Sequence, residues 1–311
     1  MPEIKADFLD FLRCPQTGQA LQVDAGVLYS KDGSRRYEIS DSGIPVFAGD
    51  ARSQDALTQQ KHYDNIAKNY IENQGYPHTR IYNEYLNRAL IKTAGNAVFD
   101  HVAELCCGRG EAFFLFGEKI RRGVGVDISL NMLESARREL NNDQFLLVQG
   151  DAVHSPLADR RFDSVFMLGG IHHVNDRLAL FKEVNRVLKP GGRFYWREPV
   201  SDFFLWRLLR ALIYRLSPAL DEKTERPLLF AETAPVLEQA GLELKEWKTV
   251  GFFGYCLFMN SDVLLFNKLF RFLPGIEALT RLAVAVDDWT LHMPGLSRSG
   301  LFVIGMAQKP V

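Results

Sequence analysis

From residue 98 to residue 200, apolar runs of strand length alternate with amphipathic runs of helix length. Strand-like runs such as HVAEL at 101–105 and RGVGVD at 122–127 are each followed by a helix-like run, and the last helix ends at KPGG, 189–192. Alternation of this kind predicts a parallel sheet with helices on both faces. The sequence therefore predicts an α/β fold, and such sheets bind ligands at the carboxyl ends of their strands.

The rest of the chain predicts further parts around this sheet. Residues 1–50 contain a short apolar helix and several short strands separated by turn residues, which indicates a small β-rich module. Residues 51–97 begin with a polar stretch and continue with helical spacing, so they are interpreted as a helical linker or lid. The α/β domain is predicted over 98–311, with apolar helical insertions near 200–228 and 252–298.

Charge and composition favour a small-molecule partner. The formal net charge of the 311-residue chain is −1 at pH 7. Nucleic-acid binders usually carry a clear basic excess, so no nucleic-acid partner is expected. The four cysteines include no C-x-x-C pair, and no His or carboxylate cluster has ligand spacing, so neither a disulfide framework nor a metal site is predicted. Without a signal-peptide pattern or a run of about 18 apolar residues, a cytoplasmic location is expected.

The strongest chemical signal is the turn that follows the first strand of the α/β domain. That strand ends in Glu104, and the chain then passes through CCGRG at 106–110 into a helix. Glycines let the backbone approach a ligand closely, and a helix start offers free N–H groups. An ordinary strand-to-helix turn has the same pattern, so this segment alone leaves both interpretations open.

Asp127 ends the second strand, 19 residues after Gly108. In nucleotide-binding βαβ units an acidic residue about 20 positions after the glycines accepts hydrogen bonds from ribose hydroxyls. The alternative is an aspartate that caps the following helix. Spacing and strand context together favour the ribose role.

Six segments, in order, resemble the motifs of class I S-adenosylmethionine-dependent methyltransferases: ELCCGRG, GVDISLNMLESAR, GDA, FDSVF, IHHV and LKPGGRF. The branch resembled is the methyltransferase type 11 branch, which includes ubiquinone and menaquinone methylation enzymes. The resemblance covers roughly residues 60–200. It implies a Rossmann-like, seven-stranded sheet and S-adenosylmethionine as the cofactor.

The resemblance assigns residues of the first two strand ends to the methionine and ribose parts of the cofactor. Glu104 and Gly108 would border the methionine moiety and its ammonium group, and Gly110 retains the family's glycine. Cys106 stands where the family usually has glycine, and we expect it to narrow the methionine end of the pocket. Asp127 would hold the ribose hydroxyls.

The same resemblance assigns the later strand ends to the adenine and to the methyl group. Ile128 would pack on the adenine ring. Asp151 and Ala152 would lie at the adenine edge, with Asp151 accepting from the exocyclic amine. Leu168 and Gly169 would line the mouth through which the methyl group is transferred.

Two aromatic residues before the sheet, Tyr63 and Tyr70, resemble the N-terminal lid of this branch. The electron-rich face of an aromatic ring suits a sulfonium cation. Packing in the core of an amphipathic helix is the alternative for both residues.

A general base is predicted at the same edge of the sheet. A hydroxyl nucleophile benefits from a base whose pKa is near neutrality, usually histidine. His172 and His173 follow the fourth strand of the domain, and Glu198 ends the fifth, so these three are the catalytic candidates. Each could equally be structural, and a carbanion-like or thiolate acceptor needs no base.

The N-terminal module, from FLDFLRCPQTG to RRYEISDSGIPVF, resembles the small zinc-ribbon-like domain of the protein that activates tRNA and translation-factor methyltransferases. Cys14 and Pro15 are retained, but Thr17 stands where the second cysteine would be, and the later cysteine pair is missing. Zinc is therefore not predicted. The module is interpreted as an interface, a substrate cover or a structural cap.

The acceptor is predicted to be small and hydrophobic, such as a lipid-like, isoprenoid or aromatic molecule methylated on oxygen or carbon. The very apolar segments at 203–216 and 263–279 carry Arg or Lys, so they are buried, line an apolar pocket, or contact a membrane surface transiently.

Two other functions stay open. An RNA or protein methyltransferase is suggested by the module, but LGGI at 168–171 offers no planar polar group to hold an amine. The third possibility is a non-catalytic S-adenosylmethionine-binding scaffold, against which the presence of Gly108, Gly110, Asp127 and Asp151 argues.

Overall fold

The described residues fold around one mixed sheet of eleven strands, in the order β1-β2-β3-β4-β7-β6-β5-β8-β9-β11-β10. The computed structural model describes residues 4–47, 49, 53–60, 72–140, 143–216, 226–259 and 265–311, with the backbone alone at 212–216 and 265. The strands are β1 Leu21–Asp24, β2 Val27–Ser30, β3 Arg36–Ile39, β4 Pro45–Val46, β5 Phe99–Leu105, β6 Ile120–Asp127, β7 Phe145–Gln149, β8 Phe162–Leu168, β9 Leu188–Pro199, β10 Glu243–Val250 and β11 Phe302–Gln308.

Helices cover both faces of the sheet, as the alternating pattern predicts. They are α1 Ala6–Leu9, α2 Pro77–Ala94, α3 Glu111–Phe116, α4 Leu130–Leu140, α5 Arg177–Val187, α6 Phe204–Leu216, α7 Phe230–Gln239, α8 Phe253–Met259 and α9 Ile276–Leu291. Residues 54–60 are also helical, and Leu265–Phe272 forms a 3₁₀ helix. None of the described helices has both the length and the apolar character needed to cross a bilayer.

The predicted α/β sheet is confirmed, but it has eleven strands where seven were expected. Strands β5 to β9 are parallel to one another, and β11 lies antiparallel between β9 and β10. These seven strands all come from the predicted 98–311 domain. The other four come from the N-terminal residues.

The additional strands join the sheet because β4 pairs in parallel with the edge strand β7. Val46 lies beside Gln149, and the N–H of Phe47 donates to the carbonyl of Gln149 at 2.9 Å. This pairing satisfies backbone groups that an uncovered edge strand would expose. The N-terminal residues therefore continue the main sheet.

The core of the N-terminal strands contains Cys14 without any other cysteine nearby in the sequence. Its buried Sγ lies 3.0 Å from the Tyr37 hydroxyl and accepts a hydrogen bond from the Thr17 N–H at 3.3 Å. Phe11 and Leu12 pack into the same apolar cluster as the sheet. Hydrogen bonding and apolar packing thus surround this thiol.

The apolar region after residue 250, whose sequence shows no clean period, forms α8, the 3₁₀ helix and α9. These elements pack against α2, and α9 also contacts β10 directly. The reason for the unclear period is visible in α9, where apolar residues occupy a buried face and an exposed face at once.

Asp287, on α9, holds this helical region together. Its buried carboxylate accepts hydrogen bonds from the Tyr82 hydroxyl and from the backbone N–H groups of Phe252, Gly254 and Tyr255, at 2.8–3.1 Å. One side chain therefore joins α2, the start of α8 and α9.

We expect Asp287→Ala to lower the free energy of unfolding by about 3 kcal/mol, because four buried donors lose their acceptor. Glu277 lies on α9 as well, and its exposed side chain pairs with Arg80 of α2. Glu277→Ala should change the free energy of unfolding by less than about 1 kcal/mol. Urea unfolding followed by circular dichroism measures both values. Equal effects of the two substitutions would contradict this role for Asp287.

Candidate functional site

A pocket of about 430 Å³ lies at the carboxyl ends of the central parallel strands. Most predicted site residues line it: Cys106, Gly108, Asp127, Ile128, Asp151, Ala152, Leu168, Gly169 and His173. Glu104, Gly110, His172 and Glu198 lie behind its wall. Tyr63 and Tyr70 fall outside the described residues.

Asp127 connects the ends of β5 and β6. One carboxylate oxygen accepts from the Gly108 N–H at 2.7 Å, and the other accepts from the Ser129 N–H at 2.9 Å. Ser129 precedes α4, and its hydroxyl accepts from the Met132 N–H, so Ser129 is the residue that caps that helix. A carboxylate has about four acceptor positions, so backbone and ligand donors can share Asp127.

Glu104 supports the loop from beneath. Its side chain is buried, and Oε1 accepts from the Ala112 N–H in the first turn of α3 at 2.9 Å. Burial raises the pKa of this carboxyl well above its usual range, although the Ala112 N–H opposes the shift. Oε2 has no hydrogen-bond partner within the described parts of the chain.

Gly110 lies at the start of α3 with φ +83°, a conformation that favours glycine. A Cβ at this position would approach Leu140 Cδ1 to 2.9 Å. The structure therefore gives Gly110 a packing role, since it allows α4 to lie close to the loop.

Cys106 adopts φ +50°, in the left-handed region, at the position where the related motif has glycine. It is accommodated because the next loop has Gly170, where a Cβ would lie 2.6 Å from that of Cys106. Burial raises the pKa of the Cys106 thiol, and Asp127 and Glu198 raise it further. The side chain is therefore an uncharged thiol in the pocket wall.

Asp151 fastens residues 53–60 over the pocket. Its carboxylate accepts from the backbone N–H groups of Val153 and Ser53. A second attachment lies nearby, where Asp55 accepts from the backbone and side-chain amides of Asn175 at 2.8 and 2.7 Å. Ser53 and Asp55 both line the pocket, so this segment forms part of its roof.

The three catalytic candidates have different environments. Glu198 is fully buried, and its carboxylate accepts from backbone N–H groups of residues 169–172 and lies 2.7 Å from His172 Nδ1. These bonds fix the loop that ends β8. Only His173 reaches the pocket, and its ring centroid lies 3.8 Å from that of His172.

Two polar residues of the pocket wall, Arg197 and Asn87, were not identified from the sequence. Arg197, 8% exposed, donates to Asn87 Oδ1 at 2.6 Å and pairs with the Glu111 carboxylate. The available signal was a second charged residue, next to Glu198, after the aromatic run of β9. Asn87 belongs to α2, whose inward face the sequence does not indicate.

The two apolar insertions do not contribute to this pocket. Its described lining comes from residues 53–59, Gln74, α2, the strand ends with the loops that follow them, and the helices α3 and α4. The expected apolar cover of the pocket is therefore not built by the described parts of 200–228 and 252–298.

The structure also contains a cluster of possible metal ligands that the sequence did not indicate. Asp100, His101 and Asp163 have ligand atoms within 4.8 Å of one another at the amino ends of the strands. The protein's own cations already contact this group, because Arg121 donates to Asp100 and Lys189 Nζ lies 3.3 Å from His101 Nδ1. Such a cluster depends on strand pairing, which sequence spacing does not reveal.

Part of the chain matches a known protein family and known proteins. Residues 103–196 match the family described as "Methyltransferase domain". Demethylmenaquinone methyltransferase of Lactiplantibacillus plantarum is 27% identical over 206 residues, which are 58% of this chain and 86% of that protein. The chloroplastic 2-phytyl-1,4-beta-naphthoquinone methyltransferase of Arabidopsis thaliana is 40% identical over 103 residues, which are 30% of this chain and 40% of that protein.

The fold also matches solved structures. Phosphoethanolamine N-methyltransferase 2 of Haemonchus contortus, in complex with S-adenosyl-L-methionine, superposes with a TM-score of 0.50 at 19% identity, covering 72% of this chain and 52% of that one. Together the matches indicate a methyltransferase-like domain at residues 103–196 and support S-adenosylmethionine as the cofactor, and the solved structure shows a shared fold.

The residues present fit that cofactor. Carboxylates at the ends of two adjacent strands, Asp127 and Asp151, line the same pocket and are suitable acceptors for hydroxyl and amine donors. At Gly169, which has φ +89°, an added Cβ would meet no atom within 4 Å. The backbone there faces open space, where a ligand can approach closely.

Asp127→Ala should weaken the binding of S-adenosylhomocysteine about a hundredfold, because it removes charged acceptors for two hydroxyls. Isothermal titration calorimetry measures this, with Asp100→Ala at the opposite end of the sheet as the control. Unchanged affinity in a folded Asp127→Ala variant would contradict the assignment of this carboxylate.

Glu104→Gln should make stability less dependent on pH. The pKa of Glu104 is raised in the folded state. As the pH rises above about 4.3, the glutamate ionises in the unfolded state but stays protonated in the folded state, so the wild type should lose stability. The loss should end once the pH exceeds the folded-state pKa of Glu104. Glutamine keeps an oxygen acceptor for the Ala112 N–H and cannot ionise. Urea unfolding across this range tests the difference, with exposed Glu118→Gln as the control; parallel curves for wild type and Glu104→Gln would refute it.

Proposed function

We propose that this chain transfers a methyl group from S-adenosylmethionine to the oxygen or carbon of a small hydrophobic acceptor. The observation that carries the proposal is the convergence of Asp127 and Asp151 on one pocket at the carboxyl edge of the sheet. Two relatives are named for the methylation of demethylmenaquinone and of a phytyl naphthoquinone, which supports a hydrophobic acceptor.

When bound, the cofactor supplies a methyl group that is already activated on a sulfonium sulfur. Asp127 would hold the ribose hydroxyls and Asp151 the adenine amine, which fixes the cofactor's orientation. The loop at 169–170 has no side chains in the way of an approaching acceptor. Positioning two reactants in this manner is itself a large contribution to the rate.

His173 is the residue we assign to proton removal from a hydroxyl acceptor. Of the three catalytic candidates, His173 is the residue that lines the pocket. His172 and Glu198 would act as positioning residues, since their contact at 2.7 Å and the bonds of Glu198 to the loop backbone fix the segment that carries His173.

Incubation with methyl-labelled S-adenosylmethionine tests the function directly. The acceptors are a reduced isoprenoid quinone lacking its methyl group, a long-chain phenol, unmodified tRNA and a protein mixture. We expect label in the quinol or phenol, and none with Asp127→Ala. Label only in tRNA or protein would replace the proposed acceptor class, and no label despite cofactor binding would favour a non-catalytic scaffold.

His173→Ala should lower kcat on a phenolic acceptor about a hundredfold with little change in KM for the cofactor. The exposed His292, outside the pocket, provides the matched control as His292→Ala. The pH profile of kcat should lose its acidic limb in His173→Ala. Retention of that limb would exclude His173 as the base.

A further inference from the structure

Most of the large apolar side chains that solvent reaches lie in the two C-terminal insertions. They occur on α6, α8, the 3₁₀ helix and α9, and include Phe204, Phe253, Phe266 and Phe272, which are 52–70% exposed. We refer to these exposed side chains, between residues 204 and 289, as the apolar surface. Large exposed apolar patches generally mark a contact site.

The exposed stripe of α9 is the most regular part of the apolar surface. Leu279, Leu282, Val286 and Trp289 recur every three or four residues, so they share one line of the helix, and each is 50–64% exposed. The opposite line packs into the core through residues such as Val284. One apolar face of α9 therefore packs against the core, and a second apolar face is exposed to solvent.

The acidic side chains of α9 contact α2 or are buried. Glu277 pairs with Arg80 of α2 at 3.0 Å, and Asp288 accepts from the Tyr85 hydroxyl at 3.2 Å. Asp287 is buried. The exposed stripe itself contains no charged residue.

The charged residues on the other elements of the apolar surface are all basic, and they lie on α6 and the 3₁₀ helix. The segments 204–216, 253–259 and 265–272 contain no Asp or Glu, while Arg207, Arg210, Lys268 and Arg271 lie on them. Apolar and aromatic side chains next to Lys and Arg are the combination that binds the interface of an anionic bilayer.

We propose that the apolar surface docks on the surface of a lipid bilayer that contains anionic headgroups. Charge complementarity selects this partner over a second copy of the chain. A two-fold contact brings the same patch of both copies together, so a patch whose charged side chains are mainly Arg and Lys would face a patch of the same sign. A bilayer offers both an apolar phase for the rings and phosphate groups for the cations.

The apolar surface lies beside the pocket. Arg271 pairs with Glu72 at 3.1 Å and stacks over Tyr76, and Gln74, between those two residues, lines the pocket. A hydrophobic acceptor held in the bilayer would therefore meet the chain next to the pocket wall. This last step rests on the proposed function, whereas docking on the bilayer does not.

Flotation of the full chain with vesicles tests the docking without cofactor or acceptor. We compare vesicles of phosphatidylcholine with vesicles of phosphatidylcholine and phosphatidylglycerol in equal amounts, at low and high salt. The chain should float with the anionic vesicles, float less with the neutral ones, and bind more weakly as salt rises. Because no methyl transfer is measured, loss of docking and failure of the proposed reaction remain distinguishable.

Matched variants locate the contact. Leu282→Ser combined with Trp289→Ser should weaken partitioning roughly tenfold or more, and Lys268→Gln about fivefold. Val98→Ser and Lys31→Gln, which change exposed residues that do not belong to the apolar surface, should bind as the wild type does. All variants change exposed or half-exposed side chains, and thermal melts monitor their folding.

Equal partitioning of all variants, or no partitioning of the wild type, would overturn the proposal. Sedimentation of the same samples without lipid tests the other occupant. A dimer that depends on Trp289 in a chain that does not bind vesicles would assign the surface to a second copy.

Discussion

The parallel pairing of β5 with β6 on one side and β8 on the other is the constraint on which the site depends. This pairing places the carboxyl ends of the three strands at one edge, so the loops that follow them meet around a single pocket. Two glycines of β6, Gly123 and Gly125, allow the close approach of Phe113 on α3, since a Cβ at either would lie within 3.0 Å of its ring. The start of α3 is thereby held against the sheet.

Carboxylates then fix the loops in place, each in a different way. Glu104 supports the first loop from within the core, Asp127 ties that loop to the neighbouring strand, and Glu198 collects the amides of the loop after β8. Backbone N–H groups at loops and helix starts need such acceptors because they lack partners within a strand or helix. The pocket is thus rigid where the cofactor would lie.

Local patterns in the sequence predicted the alternating strands and helices, and the positions of Asp127 and Asp151 at strand ends. They could not predict contacts that depend on tertiary pairing, such as Arg197 with Asn87 and Glu111, or the sharing of one carboxylate by His172 and the loop amides. The apolar period failed for α9 because that helix is apolar on two lines. The short N-terminal strands were predicted, but as a separate module, because the pairing that joins them to the main sheet is made by the two-residue strand β4 with a partner far away in sequence.

The pairing of β4 with β7 also affects the order in which parts of the chain can fold. Val46 finds its partner, Gln149, about a hundred residues later in the sequence. During synthesis at about 5–20 residues per second, the N-terminal strands must therefore wait several seconds before the edge they join exists. Their own hairpins can form early, but their attachment is a late, non-local closure of the kind that slows folding. Strands β1 to β4 are therefore synthesised before the edge that they join, and their attachment to the sheet is a late step of folding.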